Sequence, residues 1–364
     1  MRTLRPRPGI LEIEPYKGGE SAVAGVDRVI KLSSNESPLG PSPRAMAAIE
    51  AMSKEQHRYP DGTAEAIRKA IGRHHGIDPA RIVCGCGSDE LITLLVRAYA
   101  GPGDEVLHSQ YGFLMYPITA KGVGARPVEA PEKDLRTDVD AMLARLSPKT
   151  RIVFLANPNN PTGSFLAKDD VARLHAGIPK DVLLVIDAAY AEYVTRNDYS
   201  AGVELVEAHP NVVMTRTFSK IYGLAGLRLG WAYCPPAVAD VLNRLRNPFN
   251  VTSLAQAAAL AALGDVAHVD AARSNNDIWL PWITAELTKL GLKVASSVGN
   301  FVLVRFPDPP SKNARAANAF LASRGIIPRG MDAYNLSHSL RITVGREDEM
   351  RAVAAALAEF MAVP

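Results

Sequence analysis

The 364-residue chain has little of the features that mark secreted, membrane-spanning or metal-dependent proteins. It contains three cysteines, two of them in Cys84-Gly85-Cys86, so a disulfide framework is excluded and a reducing, cytoplasmic location is expected. No apolar run is long enough to cross a membrane, and the basic N-terminus lacks the apolar segment of a signal peptide. The eight histidines include no His-x-x-x-His pair with a glutamate between them, so no zinc hydrolase and no metal site are predicted.

The charge of the chain is nearly balanced, with 41 lysines and arginines against 38 aspartates and glutamates. The basic residues are evenly spread, which argues against a nucleic-acid partner. A composition of 47% hydrophobic and 22% charged residues is typical of a globular enzyme. The length is sufficient for one large or two medium domains with ample cores.

Short apolar segments of strand length alternate with helical patterns between residues 81 and 233. The strands predicted there are Arg81–Cys84, Glu105–His108, Arg151–Ala156, Val182–Asp187, Asn211–Thr215 and Leu229–Tyr233. Continuous apolar strands separated by helices predict a mainly parallel sheet that is covered on both faces. A long helical pattern over 267–290, expected to kink or break at Pro281, leads into a smaller α+β unit. We therefore expect an N-terminal arm (1–30), a large domain (31–260) and a small C-terminal domain (261–364).

The most informative segment is Thr217-Phe218-Ser219-Lys220, which follows one of these strands and precedes Arg228. A lysine amine forms a Schiff base with an aldehyde, while hydroxyl groups and an arginine bind a phosphate dianion. Pyridoxal phosphate carries both an aldehyde and a phosphate. The same segment is also compatible with a lysine that is exposed in a surface loop. Taken alone, it therefore does not distinguish a cofactor-binding lysine from a surface lysine.

A glycine-rich segment, Gly-Cys-Gly-Ser-Asp-Glu (85–90), follows the strand that ends at Cys84 and opens a helix. Backbone N–H groups at such a helix N-terminus bind anions. A dinucleotide-binding fingerprint would have a glycine in place of Glu90 and an acid after the next strand, which ends instead in Leu107-His108-Ser109. The segment therefore fits a plain phosphate site better than a dinucleotide site, and a capped glycine-rich turn explains it equally well.

Two further strand ends carry polar residues, and ligands of open α/β sheets bind at such ends. The turn-rich segment 157–163 contains Asn160, whose amide is able to donate to a phenolate oxygen. Asp187 ends an apolar strand, where a buried carboxylate needs a cationic partner such as a pyridinium N–H, or else is solvated. Tyr190 either reaches the same oxygen as Asn160 or packs in the core.

Together these segments resemble the fold type I pyridoxal-phosphate aminotransferases and, within them, the histidinol-phosphate aminotransferase family. The similarity runs nearly end to end, and its most specific part is the order and spacing of Asn160, Asp187, Lys220 and Arg228. Other matching segments are Pro15-Tyr16, Leu32-Ser33-Ser34-Asn35-Glu36, Arg58-Tyr59-Pro60-Asp61, Gly87-Ser88-Asp89-Glu90 and Leu340-Arg341-Ile342-Thr343-Val344-Gly345. The resemblance implies an α/β fold of type I, with a large domain built on a mainly parallel seven-stranded sheet and a smaller C-terminal α+β domain.

The resemblance also implies the cofactor, pyridoxal 5'-phosphate, and the residues that hold it. Lys220 would bind the cofactor covalently and then act as a base, and Asp187 would pair with the ring nitrogen. Asn160 and Tyr190 would bond the ring 3-oxygen, and Phe113 would stack on the ring. The groups expected to hold the phosphate are Ser88, the backbone of Asp89, Thr217, Ser219, Arg228 and, from a second subunit, Tyr59.

The residues expected to bind substrate are Tyr16, Asn35, Arg329 and Arg341, with Tyr16 and Tyr59 crossing to the partner of a homodimer with shared sites. The implied reaction converts histidinol phosphate and 2-oxoglutarate to imidazole acetol phosphate and glutamate, in histidine biosynthesis. The loop 331–338 before Arg341 matches no single subfamily, so an aromatic or prephenate aminotransferase and a threonine-phosphate decarboxylase stay open as alternatives. Cys86 and Phe113 also depart from the commoner forms of their motifs. A nucleotide-binding oxidoreductase is disfavoured by Glu90.

Overall fold

The computed structural model describes residues 4–23, 25 and 28–362, and its helices and strands lie within those ranges. The helices are α1 (Pro43–Ser53), α2 (Glu65–His75), α3 (Ser88–Tyr99), α4 (Met115–Val123), α5 (Val139–Ala144), α6 (Lys168–Gly177), α7 (Val203–Ala208), α8 (Pro236–Leu245), α9 (Ser253–Leu263), α10 (Val266–Lys289), α11 (Ala314–Ala322) and α12 (Glu347–Ala362). The strands are β1 (Ile30–Lys31), β2 (Ile82–Cys86), β3 (Glu105–Ser109), β4 (Arg126–Ala130), β5 (Glu132–Lys133), β6 (Arg136–Thr137), β7 (Thr150–Ala156), β8 (Leu183–Asp187), β9 (Val212–Thr217), β10 (Leu229–Tyr233), β11 (Lys293–Val294), β12 (Phe301–Arg305), β13 (Ile326–Ile327), β14 (Arg329–Gly330) and β15 (Ser339–Thr343). Short 3-10 helices occupy Ile10–Glu12, Pro79–Arg81, Ala191–Tyr193, Ala225–Leu227 and Asp332–Tyr334.

Seven strands form the central sheet of the described chain, in the order β2-β10-β9-β8-β7-β3-β4. Neighbours from β9 to β4 run parallel, whereas β10 is antiparallel to both β2 and β9. The predicted mainly parallel, seven-stranded sheet is therefore confirmed. The edge strand β4 is missing from the strands predicted by pattern, because Pro127 and its charged neighbours Arg126 and Glu129 interrupt the apolar run. A proline is tolerated at a sheet edge, where its missing N–H is not needed.

Helices cover both faces of this sheet. Helices α3, α4 and α8 pack on one face around a core that includes Leu91, Leu95 and Phe154. Helices α1, α2, α5, α6, α7 and α9 pack on the other face. Strand β8 is buried along its whole length, as expected of an interior parallel strand. The register of β8 and β9 pairs Asp187 with Thr215, so the polar ends of the two strands lie together at one edge of the sheet.

A second sheet of four antiparallel strands has the order β11-β12-β15-β14. It packs with α10, α11 and α12 around a core of its own. The short strand β1, next to the N-terminal arm, pairs in parallel with β13, and Leu32 belongs to this second core. The second core therefore recruits residues from near the beginning of the chain. The domain boundaries expected at residues 30 and 260 stay a prediction.

Helix α10 continues through Pro281 from Val266 to Lys289, so the helix does not break at the proline. A proline inside a helix removes a backbone hydrogen bond and costs about 3 kcal/mol or more. Trp279, Ile283 and Leu287 of the same helix are buried in the second core. Their burial offsets the cost of the proline. Although α10 is long, no helix in the described ranges is also apolar enough to cross a bilayer.

Candidate active site

A cavity of about 240 Å³ lies where β8 and β9 end, and it is also lined by arginines of β14 and β15. The fold brings together there almost all of the site residues predicted from the sequence, although they are spread over more than 300 positions of the chain. They are Tyr16, Asn35, Ser88, Asp89, Phe113, Asn160, Asp187, Tyr190, Thr217, Ser219, Lys220, Arg228, Arg329 and Arg341. Tyr59 is the predicted site residue that does not line this cavity.

Asp187 is a buried acid of the cavity, with 6% of its surface exposed. The Tyr116 hydroxyl donates to its Oδ2 at 2.9 Å, and the Thr215 hydroxyl donates to its Oδ1 at 3.0 Å. Burial raises the pKa of Asp187 to about 6, although both hydroxyls act in the opposite direction. A carboxylate in this environment is stabilised by a cation beside it.

Anion-binding groups surround the N-terminus of α3. This helix begins at Ser88, and the preceding Gly87 has a φ of +78°. A Cβ at position 87 would lie 2.6 Å from Nη2 of Arg228, so glycine leaves room for that guanidinium. Nη2 of Arg228 donates a hydrogen bond to Oδ2 of Asp89 at 3.0 Å. Together with the hydroxyls of Thr217 and Ser219, this end of the cavity is suited to a phosphate.

The side chain of Glu90 has a structural role that a glycine at this position could not fill. Its Oε2 accepts hydrogen bonds from the backbone N–H of Cys86 at 2.5 Å and from Nδ2 of Asn250 at 2.7 Å. The carboxylate thus closes the turn that enters α3. This use of Glu90 agrees with the interpretation of the segment as a phosphate site without a dinucleotide fingerprint.

Lys220 lies in the loop after β9, next to the hydroxyl-bearing Ser219. Its Nζ donates to the carbonyl of Ser34 at 3.3 Å and lies 5.6 Å from the centroid of the Tyr190 ring. Nδ2 of Asn35 donates to the hydroxyl oxygen of Tyr190 at 2.8 Å. Because that oxygen accepts from Asn35, the hydrogen of the Tyr190 hydroxyl is left for another acceptor. An amine and a hydroxyl donor therefore line the same cavity.

Arg341 on β15 supplies a buried guanidinium. Its Nη1 donates to Oδ1 of Asn160 at 2.5 Å, and its Nη2 donates to the carbonyl of Ser33 at 2.7 Å. Its Nε is buried and has no hydrogen-bond partner among the residues that the structure describes. Since Asn160 accepts through Oδ1, its Nδ2 hydrogens are left for another acceptor. The pair therefore combines a fixed cation with an amide donor.

The N-terminal arm contributes Tyr16 to the cavity of its own chain. The Tyr16 ring is edge-on to Phe113, with centroids 6.5 Å apart, and Arg329 donates to the carbonyl of Lys17. In the single chain described, Tyr16 therefore lies at its own cavity, and the contact that we expect between Tyr16 and a partner subunit stays a prediction. The arm lies against the residues of its own site, and Arg329 holds it there.

Tyr59 is not among the residues that line the cavity. Its side chain is 83% exposed and stacks on Phe249, with ring centroids 4.6 Å apart and an interplanar angle of 19°. Neither ring of this aromatic pair lines the cavity of the described chain. The contact expected between Tyr59 and a cofactor bound to a second subunit stays a prediction.

Sequence reasoning missed Tyr116, Thr215 and Ser34, each of which contacts a predicted site residue. Two of them carry a signal in the sequence. Thr215 lies two residues before Thr217 and therefore on the same side of its strand. Tyr116 follows Phe113 by three residues at the start of a helix. Ser34 contacts Lys220 through its backbone carbonyl, which no side-chain pattern reveals.

These groups fit pyridoxal 5'-phosphate. The cavity contains an amine for its aldehyde, a helix N-terminus with hydroxyls and an arginine for its phosphate, and a buried acid for its ring nitrogen. The raised pKa of Asp187 shows that burial disfavours the carboxylate without a cationic partner. The cofactor expected from the sequence thus matches the chemistry of the groups present.

Comparisons with known proteins agree with this assignment. The family model described as aminotransferase class I and II matches residues 27–357. The chain is 62% identical to the histidinol-phosphate aminotransferase of Paramagnetospirillum magneticum over 356 residues, which cover 98% of each chain. It is 59% identical to that of Rhodospirillum rubrum over 358 residues, which cover 98% of this chain and 97% of the relative.

The fold is also that of a solved relative. A crystal structure of histidinol-phosphate aminotransferase from Sinorhizobium meliloti, in complex with pyridoxal-5'-phosphate, matches with a TM-score of 0.88 and 32% sequence identity. The match covers 97% of this chain and 96% of the other. The chain therefore belongs to the class I and II aminotransferase family, in its group of histidinol-phosphate aminotransferases, and is a pyridoxal-phosphate-dependent transaminase.

Proposed function

We propose that this enzyme transfers the amino group of histidinol phosphate to 2-oxoglutarate, which yields imidazole acetol phosphate and glutamate in histidine biosynthesis. The observation that carries this assignment is the buried guanidinium of Arg341, whose Nε has no partner among the described residues of the cavity. The names of relatives that are 62% and 59% identical over nearly the whole chain support the same substrate.

The residues of the cavity have different roles in binding the cofactor. When bound, pyridoxal phosphate supplies an aldehyde for the amino group and a protonated ring that withdraws electrons from the substrate carbon. Lys220 would hold the aldehyde of the cofactor, and its amine would accept and return the proton of the substrate carbon. Asp187 would keep the ring nitrogen protonated. The remaining cofactor ligands are Ser88, the backbone of Asp89, Phe113, Asn160, Tyr190, Thr217, Ser219 and Arg228.

Arg341 and Arg329 bind the anionic groups of the two substrates in turn. Both substrates of a transaminase use the same cavity, so one guanidinium serves the carboxylate of glutamate and the phosphate of histidinol phosphate. A planar guanidinium on a rigid strand is suited to bidentate capture of either anion. Tyr16 closes the substrate side, and Asn35 orients Tyr190 through its amide.

The substrate is tested by kcat/KM for histidinol phosphate, tyrosine, phenylalanine and threonine phosphate, each with 2-oxoglutarate as acceptor. A preference for histidinol phosphate of at least tenfold over each competitor is expected. A preference for tyrosine or phenylalanine would identify an aromatic aminotransferase instead. Carbon dioxide released from threonine phosphate would identify a decarboxylase.

We propose that the enzyme is a homodimer in which Tyr59 reaches the cofactor phosphate of the partner subunit. The exposed stack of Tyr59 and Phe249 supports this arrangement, because two aromatic rings on a surface are commonly part of an interface. Sedimentation is expected to give the mass of two chains. A cytoplasmic location, expected from the low cysteine content, stays a prediction that cell fractionation would test.

A further inference from the structure

Tyr116 is a fully buried residue of α4 whose hydroxyl contacts Asp187, a residue that lines the cavity. It donates to Oδ2 of Asp187 at 2.9 Å. Its ring stacks on Phe154 of β7, with centroids 4.4 Å apart and an interplanar angle of 4°. It also meets Phe113 edge-on, with centroids 5.9 Å apart and an angle of 89°. The ring is therefore held on two sides, and the direction of its hydroxyl is set by packing.

The two oxygens of Asp187 are bound in different ways. Thr215 donates to Oδ1 from the neighbouring strand, whereas Tyr116 donates to Oδ2 from a helix on one face of the sheet. Two charged groups also affect the pKa of Asp187: Asp89 raises it, and Lys220 lowers it. A hydroxyl donor favours the ionised form of a buried acid over the neutral form. Tyr116 thus acts on the charge of Asp187 as well as on its orientation.

We propose that Tyr116 is a positioning residue of this enzyme: its hydroxyl holds the Asp187 carboxylate ionised and aimed at the ring nitrogen of the cofactor. Without this donor, the acid becomes a stronger competitor for the proton that it shares with the ring nitrogen. The segment 113–116 would then supply two cofactor functions at once, because Phe113 lines the cavity and Tyr116 controls the acid.

The test uses Tyr116→Phe, which removes one oxygen atom and keeps the ring. The holoenzyme is loaded with pyridoxal phosphate labelled with ¹⁵N, whose chemical shift reports protonation of the ring nitrogen. We expect the signal of the variant to move toward that of a neutral pyridine. We also expect its affinity for pyridoxal phosphate to fall about tenfold, the effect of losing a hydrogen bond to a charged group.

A cofactor analogue separates this role from simple packing. In the analogue, a C–H group replaces the ring nitrogen, so Asp187 has no partner to protonate. Tyr116→Phe is expected to leave the affinity for the analogue unchanged. Equal losses for both cofactors, or an unchanged ¹⁵N signal, would show that Tyr116 only fills the core. The matched control is Tyr233→Phe, which removes a tyrosine that donates to Glu207 outside the cavity and should change neither readout.

If Tyr116→Phe does not fold, a second variant tests the role of the Tyr116 hydroxyl. 3-Fluorotyrosine at position 116 retains the ring and makes the hydroxyl a stronger donor. We expect it to raise the ratio of the affinities for pyridoxal phosphate and for the analogue. A ratio that stays at the wild-type value, or that falls, contradicts the proposed role.

Discussion

The side-chain amide of Asn35 donates a 2.8 Å hydrogen bond to the hydroxyl of Tyr190, a residue 155 positions further along the chain. Asn35 is itself held from the second sheet region. Its backbone N–H donates to Oγ1 of Thr343 at 3.0 Å, and its carbonyl accepts from Nδ2 of Asn300 at 3.1 Å. Its φ of +54° lies in the left-handed region, which asparagine tolerates better than most residues. The second sheet thus orients a hydroxyl that belongs to the loop after β8.

Asn35→Asp should reverse the direction of this hydrogen bond. An ionised aspartate accepts from Tyr190 and draws its hydroxyl hydrogen away from the cavity, while the residue still adopts a positive φ. We expect kcat/KM to fall by about 10- to 100-fold, corresponding to roughly 1.4–3 kcal/mol for a lost contact to a charged group. Steady-state kinetics with histidinol phosphate and 2-oxoglutarate would measure this change.

A double-mutant cycle with Tyr190→Phe tests whether Asn35 acts through Tyr190. Residues in one hydrogen-bond network give non-additive effects. We therefore expect the double variant to be little worse than Tyr190→Phe alone. Fully additive losses would mean that Asn35 acts on the substrate independently of Tyr190.

Lys220→Ala should abolish turnover, because no other amine takes over covalent binding of the cofactor. The wild-type protein should be yellow, and reduction with borohydride should fix the cofactor on the peptide that contains Lys220. The variant should keep some affinity for pyridoxal phosphate through Ser88, Thr217, Ser219 and Arg228. Peptide mapping that finds the label on another lysine, or no label at all, would contradict this role.

Asp187→Asn should lower turnover by about 10²–10³-fold, because the ring nitrogen loses its anionic partner. It should also stabilise the cofactor-free protein at high pH. Burial raises the pKa of Asp187 to about 6 in the folded chain, compared with about 3.9 in an unfolded chain. Between these values the folded state binds more protons, so the free energy of unfolding decreases as the pH rises from about 4 to 6.

Above that range the buried charge costs the cofactor-free protein about 3 kcal/mol, at 1.36 kcal/mol per pKa unit. The free energy of unfolding of Asp187→Asn should exceed that of the wild type by about this amount at pH 8, and the difference should fall to about 0.5 kcal/mol at pH 4. Urea denaturation at both pH values would measure it. The control is Asp181→Asn, because the side chain of Asp181 is 78% exposed. A pH-independent difference for Asp187→Asn would rule out the charge as its origin.

Arg341→Lys should weaken both half-reactions, because lysine replaces neither the two Nη contacts to Asn160 and Ser33 nor the planar shape of the guanidinium. We expect a loss of about 1–3 kcal/mol in transition-state binding for glutamate and for histidinol phosphate. Single-turnover kinetics of each half-reaction would measure it. Arg324→Lys, whose arginine pairs with Glu359 outside the cavity, serves as the control and should have wild-type rates.

Mixed dimers test whether Tyr59 serves the partner subunit. Lys220→Ala and Tyr59→Phe chains, each with low activity alone, should form heterodimers that contain one unmutated site. Activity is then expected to recover in the mixture, to at most half of the wild-type value per dimer. If Tyr59 served its own chain, each site would carry one substitution and no recovery would occur.

The sequence by itself determined the layered fold and most of the site. Apolar strands such as β8 must be buried on both faces, and the alternation of strands with helices then favours a parallel sheet. Side chains that follow those strands meet at one edge, which is why Asn160, Asp187 and Lys220 line one cavity. The strand ends predicted where the polar side chains meet, whereas the roles of these side chains toward the cofactor came from the resemblance to a known family.

Tertiary structure alone decided the contacts that join distant segments. The continuation of α10 through Pro281 depends on packing against the second core, which a local helix rule does not include. The Tyr16 ring lies at its own chain's cavity because the arm folds back against Phe113. The bonds from Tyr116 to Asp187 and from Asn35 to Tyr190 span 71 and 155 positions. Sequence spacing does not constrain such pairs, because the free energy that aligns them comes from the packing of the whole fold.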